Sequence, residues 1–410
     1  MVDPWLRRIA LATLLASFAT GPSVINIGPA DINVFDTLFL ATSALFFVSV
    51  TLKGRFYVRL SGVSALGLAY PFIVVVGSLS GAILYGYPAG YIVGDLRWIQ
   101  VIFIMVFVLN TYKYRRLVVD DFKYVIYYGI AINSIFVVLQ MEAATSGEAV
   151  QLLEWWYKDV PETAKRPLGF QFNRFSGAVG QPSGLGFFAA VSIGYALVVM
   201  KNSITQVLVL VGSILLLIAS GSRTAMVAIS AVVVVYLIFL AGRNILRYIL
   251  YLCLVLVVVI PVAISLDLGR IAETDRYRVL VELATGEVSY HEVANRGEAW
   301  QEAIDRRNRE YLILGTLSNP SHVYSDLIID SGYLHVFVRL GPIGLLFLVF
   351  MMVTPLVTLF TTDKDKVILL PACYVFIIGI MMVNQNTLTT VGAKVTILFS
   401  TLCNSTSLNA

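Results

Sequence analysis

The sequence predicts an all-α, polytopic integral membrane protein, a single transmembrane helix bundle over residues 1–410. Of the 410 residues, 58% are hydrophobic and 13% are charged, and the mean hydropathy is +0.82. Apolar runs of about twenty residues, the length that crosses a bilayer as a helix, recur along the chain. No polar segment is long enough to predict a separate soluble domain.

The apolar runs predict about twelve transmembrane helices. They lie at 9–27, 33–52, 62–84, 92–110, 123–140, 183–200, 204–220, 224–241, 245–266, 332–360, 367–383 and 391–405. The first follows Arg7 and Arg8 as in a secretory signal, but no small-residue cleavage site leads into a polar domain, so a membrane helix is predicted. Cys253, Cys373 and Cys403 lie in apolar stretches without metal or disulfide spacing.

Lysine and arginine collect in one set of short connections, which predicts that this set faces the cytoplasm. These connections hold fourteen basic residues, whereas the turns GPADIN, YGYPAG and NQNTLTT on the other side hold none. With twelve spans, both termini are predicted to be cytoplasmic. Two sizeable loops, 141–180 and 267–331, are predicted on the far side.

Arg223 is the exception to this charge rule, because it lies on the far side in the turn SGSRTAM between two apolar helices. One interpretation is a helix-end arginine that reaches lipid phosphates. The other is an anion site, since a tight SGS turn would leave the backbone N–H groups of Arg223, Thr224 and Ala225 free at a helix N-terminus.

The loop 267–331 contains seven arginines and no lysine against twelve acidic residues, so it is net acidic by five. Arginine alone suits forked recognition of phosphate or carboxylate groups. The segment NRGEAWQEAIDRRNREYLI predicts an amphipathic helix in this loop. One face is predicted to hold Trp300, Ala303, Ile304, Tyr311 and, four residues before the tryptophan, Arg296.

The opposite face of this helix is predicted to be solvated. It would hold Arg306, Arg307 and Arg309, with (i, i+4) ion pairs Glu302–Arg306 and Asp305–Arg309.

Polar residues run directly into the next span in DLIIDSGYLHVFVRLG. Asp326, Asp330 and His335 lie near this entrance, where a carboxylate or imidazole could accept a proton from a substrate hydroxyl. An ordinary helix N-cap is the alternative role of Asp330.

The loop 141–180 contains the aromatic patch LLEWWYKDVPE, which includes Trp155 and Trp156. The patch is predicted to lie in the membrane interface or, alternatively, to form a platform on which sugars stack. The following segment NRFSGAVGQPSGLGFF supplies Arg174 and a broken entry into the next span. Broken backbone at membrane depth is expected to line a cavity, which predicts a site nearby.

Five motifs occur in order over residues 170–345: RFSGAVGQPSGLG, SGSRTAM, NRGEAW, ILGTL and DSGYLHVFVRLGPIG. Together they resemble the O-antigen ligase and polymerase superfamily, and most of all a Wzy-type polymerase of O-antigen, capsule or exopolysaccharide. The resemblance implies a metal-independent glycosyltransferase without cofactor in the bacterial inner membrane, with both large loops periplasmic. The implied donor is a glycan on undecaprenyl pyrophosphate, and the growing chain passes to a fresh lipid-linked repeat unit.

The resemblance also implies residue roles. In this family the arginine of the SGSR-like turn and an arginine before a tryptophan in the large loop contact the donor pyrophosphate; here these positions are Arg223 and Arg296. Ligases carry a histidine–asparagine pair before YL, whereas this chain has Asp330-Ser331-Gly332, which favours a polymerase and leaves Asp330 or His335 as the acceptor base. The expected substrate-binding residues are Arg174, Trp300, Tyr333, Trp155 and Trp156.

Three alternatives remain at this stage. An O-antigen ligase acting on a lipid A core shares the donor chemistry, and a structural scaffold would use none of it. A flippase or transporter would carry ionisable residues near mid-membrane and internal repeats. Its candidates here are Asp36, Asp95, Arg97, Arg339 and Lys394. The expected partners are the lipid bilayer, a chain-length regulator and a flippase; no nucleic-acid motif occurs.

Overall fold

The computed structural model describes most of the chain. The described residues are 4–19, 23–27, 30–53, 62–87, 90–111, 115–145, 149–157, 174–201, 204–240, 290–310, 314–317, 323–324, 329, 331–361, 366–384 and 391–405. Within these ranges the chain forms thirteen α-helices, one 3-10 turn and a short antiparallel β-hairpin.

The first part of the chain contains α1 (Pro4–Ala16), β1 (Ser23–Ile27), β2 (Ala30–Asn33), α2 (Val34–Lys53), α3 (Gly62–Tyr85), α4 (Gly90–Thr111), α5 (Arg115–Thr145) and α6 (Val150–Trp156). The second part contains the 3-10 turn (Gly177–Val179), α7 (Pro182–Val198), α8 (Ile204–Ser220), α9 (Arg223–Leu240), α10 (Tyr290–Glu310), α11 (Gly332–Thr361), α12 (Lys366–Asn384) and α13 (Val391–Ser405).

A helical membrane bundle is what the sequence predicts, and the structure agrees. Among the described residues, three helices contain segments long and apolar enough to cross a membrane: Leu68–Tyr85, Val119–Ala143 and Gly332–Leu356. Shorter apolar segments occur in α2, α7, α8, α9 and α12. The predicted spans from 33–52 onward that fall in described residues match helices within two residues at each end, except that α5 extends beyond 123–140. Twelve membrane crossings remain a prediction, and the predicted span 245–266 lies outside the described residues.

The first predicted span, 9–27, is wrong. Helix α1 ends at Ala16, and Ser23–Ile27 is a strand paired with Ala30–Asn33. The end of α1 tightens because the N–H of Phe18 donates to the carbonyl of Leu15, three residues back. Proline and glycine in the following GPSVINIGPADIN cannot continue a helix, while its β-branched residues suit a strand.

Helix α11 is broken at Gly341, which has φ 68° and ψ −168° and precedes Pro342. Proline has no N–H, so the carbonyl of Val338 loses its helical donor. The N–H of Thr316 donates to this carbonyl at 2.9 Å, and the N–H of Leu317 donates to the carbonyl of Arg339 at 2.8 Å. The segment 314–317 therefore satisfies the backbone of a broken membrane helix, as a lipid environment requires.

Candidate functional site

Two of the sequence motifs, RFSGAVGQPSGLG and SGSRTAM, are in contact at one end of the bundle, here called the motif end, and DSGYLHVFVRLGPIG begins at the same end. It comprises the C-terminal ends of α5, α8 and α12 and the N-terminal ends of α7, α9 and α11. Gln140 of α5 contacts Ser176 just before α7, Arg174 contacts the last residue of α8, and the Ser331 hydroxyl donates to the carbonyl of Met382 in α12 at 3.4 Å. Motifs that are far apart in sequence are thus brought together.

The turn between α8 and α9 is buried. Ser220 and Ser222 are 0% and 1% exposed, and Gly221 has φ +55°. Gly186 of α7 approaches so closely that a Cβ there would lie 2.6 Å from the Cβ of Ser222. The turn is therefore wedged into the bundle.

Hydrogen bonds within this turn set the start of α9. The Ser222 hydroxyl accepts from the N–H of Ala225 at 3.4 Å, as an N-cap does, and the Ser220 hydroxyl accepts from the N–H of Ser222 at 3.2 Å. The prediction that the Ala225 N–H is free is therefore wrong, because the cap uses it. Helix α9 begins at Arg223, whose side chain lies outside the described residues.

Arg174 braces the same turn. Its Nε donates to the carbonyl of Ser220 at 2.9 Å, and the N–H of the next residue, Phe175, donates to the carbonyl of Ala219 at 2.9 Å. A guanidinium at the end of α8 also complements the negative end of the helix dipole. The structure thus brings predicted Arg174 to the turn that contains predicted Arg223.

The broken entry into α7 is held by two amide side chains that sequence reasoning missed. Gln140 Oε1 accepts from the N–H groups of Ser176 and Gly177 at 3.1 and 3.2 Å, and Asn133 Oδ1 accepts from the N–H of Ala178 at 2.9 Å. The polar backbone here is therefore satisfied by α5 rather than by a lined cavity. The signal was available, because Asn133 and Gln140 are seven residues apart and share a helix face.

In the aromatic patch of the first loop, Trp156 and Tyr157 pack against the bundle, whereas Trp155 is exposed. Trp156 packs on Phe136 with ring centroids 4.4 Å apart and donates its indole N–H to the carbonyl of Ala178 at 3.4 Å. The Tyr157 hydroxyl donates to the carbonyl of Gly177, and burial raises the pKa of this phenol. Trp155, in contrast, is 57% exposed. Of the two predicted tryptophans, Trp155 is the one placed to meet a ligand or the interface.

The N-terminal half of α11 carries two of the predicted residues. The Tyr333 hydroxyl donates to the carbonyl of Gly379 in α12 at 3.0 Å, so it joins two helices. His335 is buried, with 6% of its surface exposed, and its backbone N–H donates to the carbonyl of Ser331 at 2.8 Å. Asp330 and Asp326 lie outside the described residues.

Ionisable residues of three helices and a serine of a fourth gather at this half of α11. The Arg339 guanidinium forms an ion pair with the Asp95 carboxylate of α4. Arg339 Nη2 also donates to the Ser78 hydroxyl of α3 at 2.5 Å, and this hydroxyl donates to the Asp95 carboxylate at 2.6 Å. Lys394 of α13 is 4% exposed, and its ammonium lies 5.3 Å from the centroid of the Trp98 ring. We call these residues the buried charge cluster. Asp36 and Arg97 form a separate pair 3.8 Å apart.

Helix α10 confirms the predicted amphipathic helix but changes its faces. Ala303 is fully buried and Trp300 is half-buried, as predicted, and Arg306 pairs with Glu302 at 2.6 Å. The predicted Asp305–Arg309 pair is not formed; Asp305 accepts from Gln301 Nε2 at 3.1 Å.

Arg307 was predicted to be solvated, and this is wrong. It is 3% exposed, with its guanidinium carbon 4.6 Å from the centroid of the Phe337 ring in α11, and burial lowers its pKa. The reason is that Ala303 and Arg307 are one turn apart on the face that packs against α11. The side chains of Arg296 and of Tyr311 lie outside the described residues.

The motif end presents groups that can bind an anion. Within the described ranges, no group of three His, Cys, Asp or Glu side chains is placed to hold a metal ion. The motif end instead combines a helix N-terminus at 223 with the cation of Arg174. No protein-family model matches the chain, and no curated protein matches its sequence.

Proposed function

We propose that this protein is a membrane glycosyltransferase that polymerises oligosaccharide repeat units linked to undecaprenyl pyrophosphate into a surface polysaccharide. It would work in the bacterial inner membrane, with about twelve spans, cytoplasmic termini and the motif end on the periplasmic side. The observation that carries the proposal is the buried turn Ser220–Ser222 directly before Arg223, with Arg174 bound across it. A lipid-anchoring arginine would need an exposed helix end, and this turn is wedged into the bundle.

The proposed chemistry uses the cations of the motif end. Arg223 and Arg296 would bind the leaving diphosphate and stabilise the negative charge that grows as the anomeric carbon–oxygen bond breaks. Arg174 would hold the turn in place. His335 or Asp330 would accept the proton of the attacking sugar hydroxyl.

A transporter or flippase is the second candidate function, because the buried charge cluster places ionisable groups inside the bundle. Such groups are costly in a membrane and often mark a transport path. Here, however, Arg339 and Asp95 neutralise each other, and the backbone carbonyl of Arg339 accepts a hydrogen bond from the N–H of Leu317. The cluster therefore also has a structural role, which favours the glycosyltransferase.

The experiment is to delete the gene and complement it with wild type, Arg223→Ala, Arg296→Ala or Arg306→Ala, and then to size the glycan on a gel. A polymerase predicts single repeat units on their normal carrier in the deletion strain. Long chains should return with wild type and Arg306→Ala, but not with the other two variants. Membrane insertion of each variant is checked by immunoblot of the membrane fraction.

Other outcomes would replace the proposal. Full-length polymer that accumulates on undecaprenyl pyrophosphate would identify a ligase. Repeat units that never reach the outer side of the membrane would identify a flippase. Full complementation by Arg223→Ala would overturn the diphosphate site.

A further inference from the structure

A groove between α1 and α5 lies at the opposite end of the bundle from the motif end. Its volume is about 860 Å³. The α1 side is lined by Arg7, Arg8, Leu11, Ala12 and Leu15, and the α5 side by Asp121, Tyr124, Val125 and Tyr128. On each helix these positions follow the three- and four-residue spacing of a single face.

The groove changes from charged to apolar along its length. Both helices place their ionisable side chains, Arg7, Arg8 and Asp121, at the end nearest their N-termini. One to two turns further on, the lining is Leu11 and Leu15 on α1 and Val125 on α5. A cavity with this gradient fits an amphiphile that has one charged head and an apolar chain.

The charged end has an excess of positive charge. Arg7 forms an ion pair with Asp121, which neutralises one cation of the lining. Arg8 is exposed at the groove and makes no hydrogen bond or ion pair with other residues that the structure describes. The head of the amphiphile is therefore expected to be anionic, and an arginine suits the oxygens of a phosphate.

Aromatic residues indicate that this end of α5 lies at a membrane–water interface. Tyr124 and Tyr128 are 42% and 60% exposed, and the Lys123 ammonium lies 5.2 Å from the centroid of the Tyr124 ring. Exposed tyrosines next to basic residues are typical of the headgroup level. They stand in the first turns of Val119–Ala143, one of the segments suited to cross a membrane. The groove therefore opens where lipid headgroups and the upper parts of their chains are found.

We propose that this groove binds an anionic phospholipid, with the phosphate at Arg8 and one acyl chain along Leu11, Leu15 and Val125. Basic pockets between membrane helices bind anionic lipid headgroups in this way. The site does not depend on the proposed glycosyltransferase activity, because it needs only a chain embedded in a bilayer. The lipid would fill the space between α1 and α5 and hold the short α1 against the bundle.

The test measures which lipid stays with the full-length protein. Wild type is reconstituted in nanodiscs of equal parts phosphatidylglycerol and phosphatidylcholine, extracted in mild detergent, washed, and its retained lipid is identified by mass spectrometry. We expect phosphatidylglycerol to be enriched. Arg8→Gln should reduce the enrichment about fivefold, as expected for one arginine near a membrane surface. Arg8→Lys should keep most of it.

Two further variants separate the parts of the site. Ala12 is exposed and lines the apolar part of the groove, so the larger side chain of Ala12→Phe would occupy space in the groove. This variant should lower the retention of phosphatidylglycerol although Arg8 is intact. Arg306→Gln removes an arginine with the same change of charge on α10, which does not line the groove, and should retain the wild-type ratio. Equal enrichment in wild type, Arg8→Gln and Ala12→Phe would overturn the proposal, and so would equal retention of the two lipids by wild type.

Discussion

Arg174 and Ser220 are joined by a hydrogen bond of 2.9 Å from the guanidinium Nε to the carbonyl at the end of α8. Together with the bond from Phe175 to Ala219, it satisfies two carbonyls that a helix C-terminus leaves without partners. The segment before α7 and the turn before α9 therefore form one structural unit. A change in either is expected to displace the N-terminus of α9.

Replacing Arg174 should loosen this unit. We expect Arg174→Ala to lower the free energy of unfolding by about 1.5–3 kcal/mol, the range for a hydrogen bond that involves a charged group. Under the proposed polymerase function, it should also shorten the polysaccharide made by complemented cells. Thermal unfolding in detergent and glycan sizing measure the two effects. Exposed Arg309 provides the control, and an Arg174→Ala variant as stable and active as Arg309→Ala would contradict the brace.

Gly315 and Gly86 form a matched pair that tests the contact at the break in α11. Both have positive φ, 69° and 67°, but a Cβ on Gly315 would lie 2.5 Å from the carbonyl oxygen of Val338, whereas Gly86 has open space around it. We expect Gly86→Ala to cost about 1–2 kcal/mol from backbone conformation alone. Gly315→Ala should cost clearly more, because 314–317 must move off α11. Equal unfolding midpoints would show that the close contact is unimportant.

Arg307 and Arg306 are neighbours in sequence with opposite environments. Arg307 is buried against Phe337, while Arg306 is partly exposed and paired with Glu302. We expect Arg306→Ala to cost about 0.3–0.5 kcal/mol, the usual value of such a helical pair. Arg307→Ala should cost several times more, because it removes both the cation–π contact and the packing of α10 on α11. Limited proteolysis of the loop 267–331 measures the docking of α10, and equal cleavage rates would contradict this prediction.

The Asp95–Arg339 pair should respond differently to single and double substitution. Arg339→Met leaves a buried carboxylate without its cation, for which we expect a loss of about 3–5 kcal/mol. Asp95→Leu combined with Arg339→Met removes both charges and should recover a large part of this loss. The buried thiol of Cys373 provides the measurement, since its alkylation requires opening of the bundle. Cys253 and Cys403 are replaced by alanine in the background.

The comparison that matters is between the Arg339→Met variant and the double variant. Slower alkylation of Cys373 in the double variant than in Arg339→Met would agree with the cost of an unpaired charge. If the double variant reacted as fast or faster, the ion pair itself would be the main source of stability.

Much of the helical layout could be predicted because it depends on local sequence. The run ITQVLVLVGSILLLIA, for example, is long and apolar, and the helix that contains it, Ile204–Ser220, has the predicted ends. The failure at 9–27 has the same origin, since hydropathy alone did not weigh the two Gly-Pro pairs in GPSVINIGPADIN, which disfavour a helix through this stretch. Side-chain surroundings were less predictable. Arg307 follows Arg306 directly, and only the docking of α10 on α11 distinguishes them.

By itself, the sequence determined the class of a helical membrane protein and the position of most helices, because these follow from hydropathy and from residue order; it also supplied the motifs on which the proposed function rests. Tertiary structure decided which residues meet: Arg174 with the turn at Ser220, Gln140 with the entry to α7, and Arg339 with Asp95. These partners are separated by tens to hundreds of residues. Their contacts depend on how helices pack, which no local pattern of residues specifies.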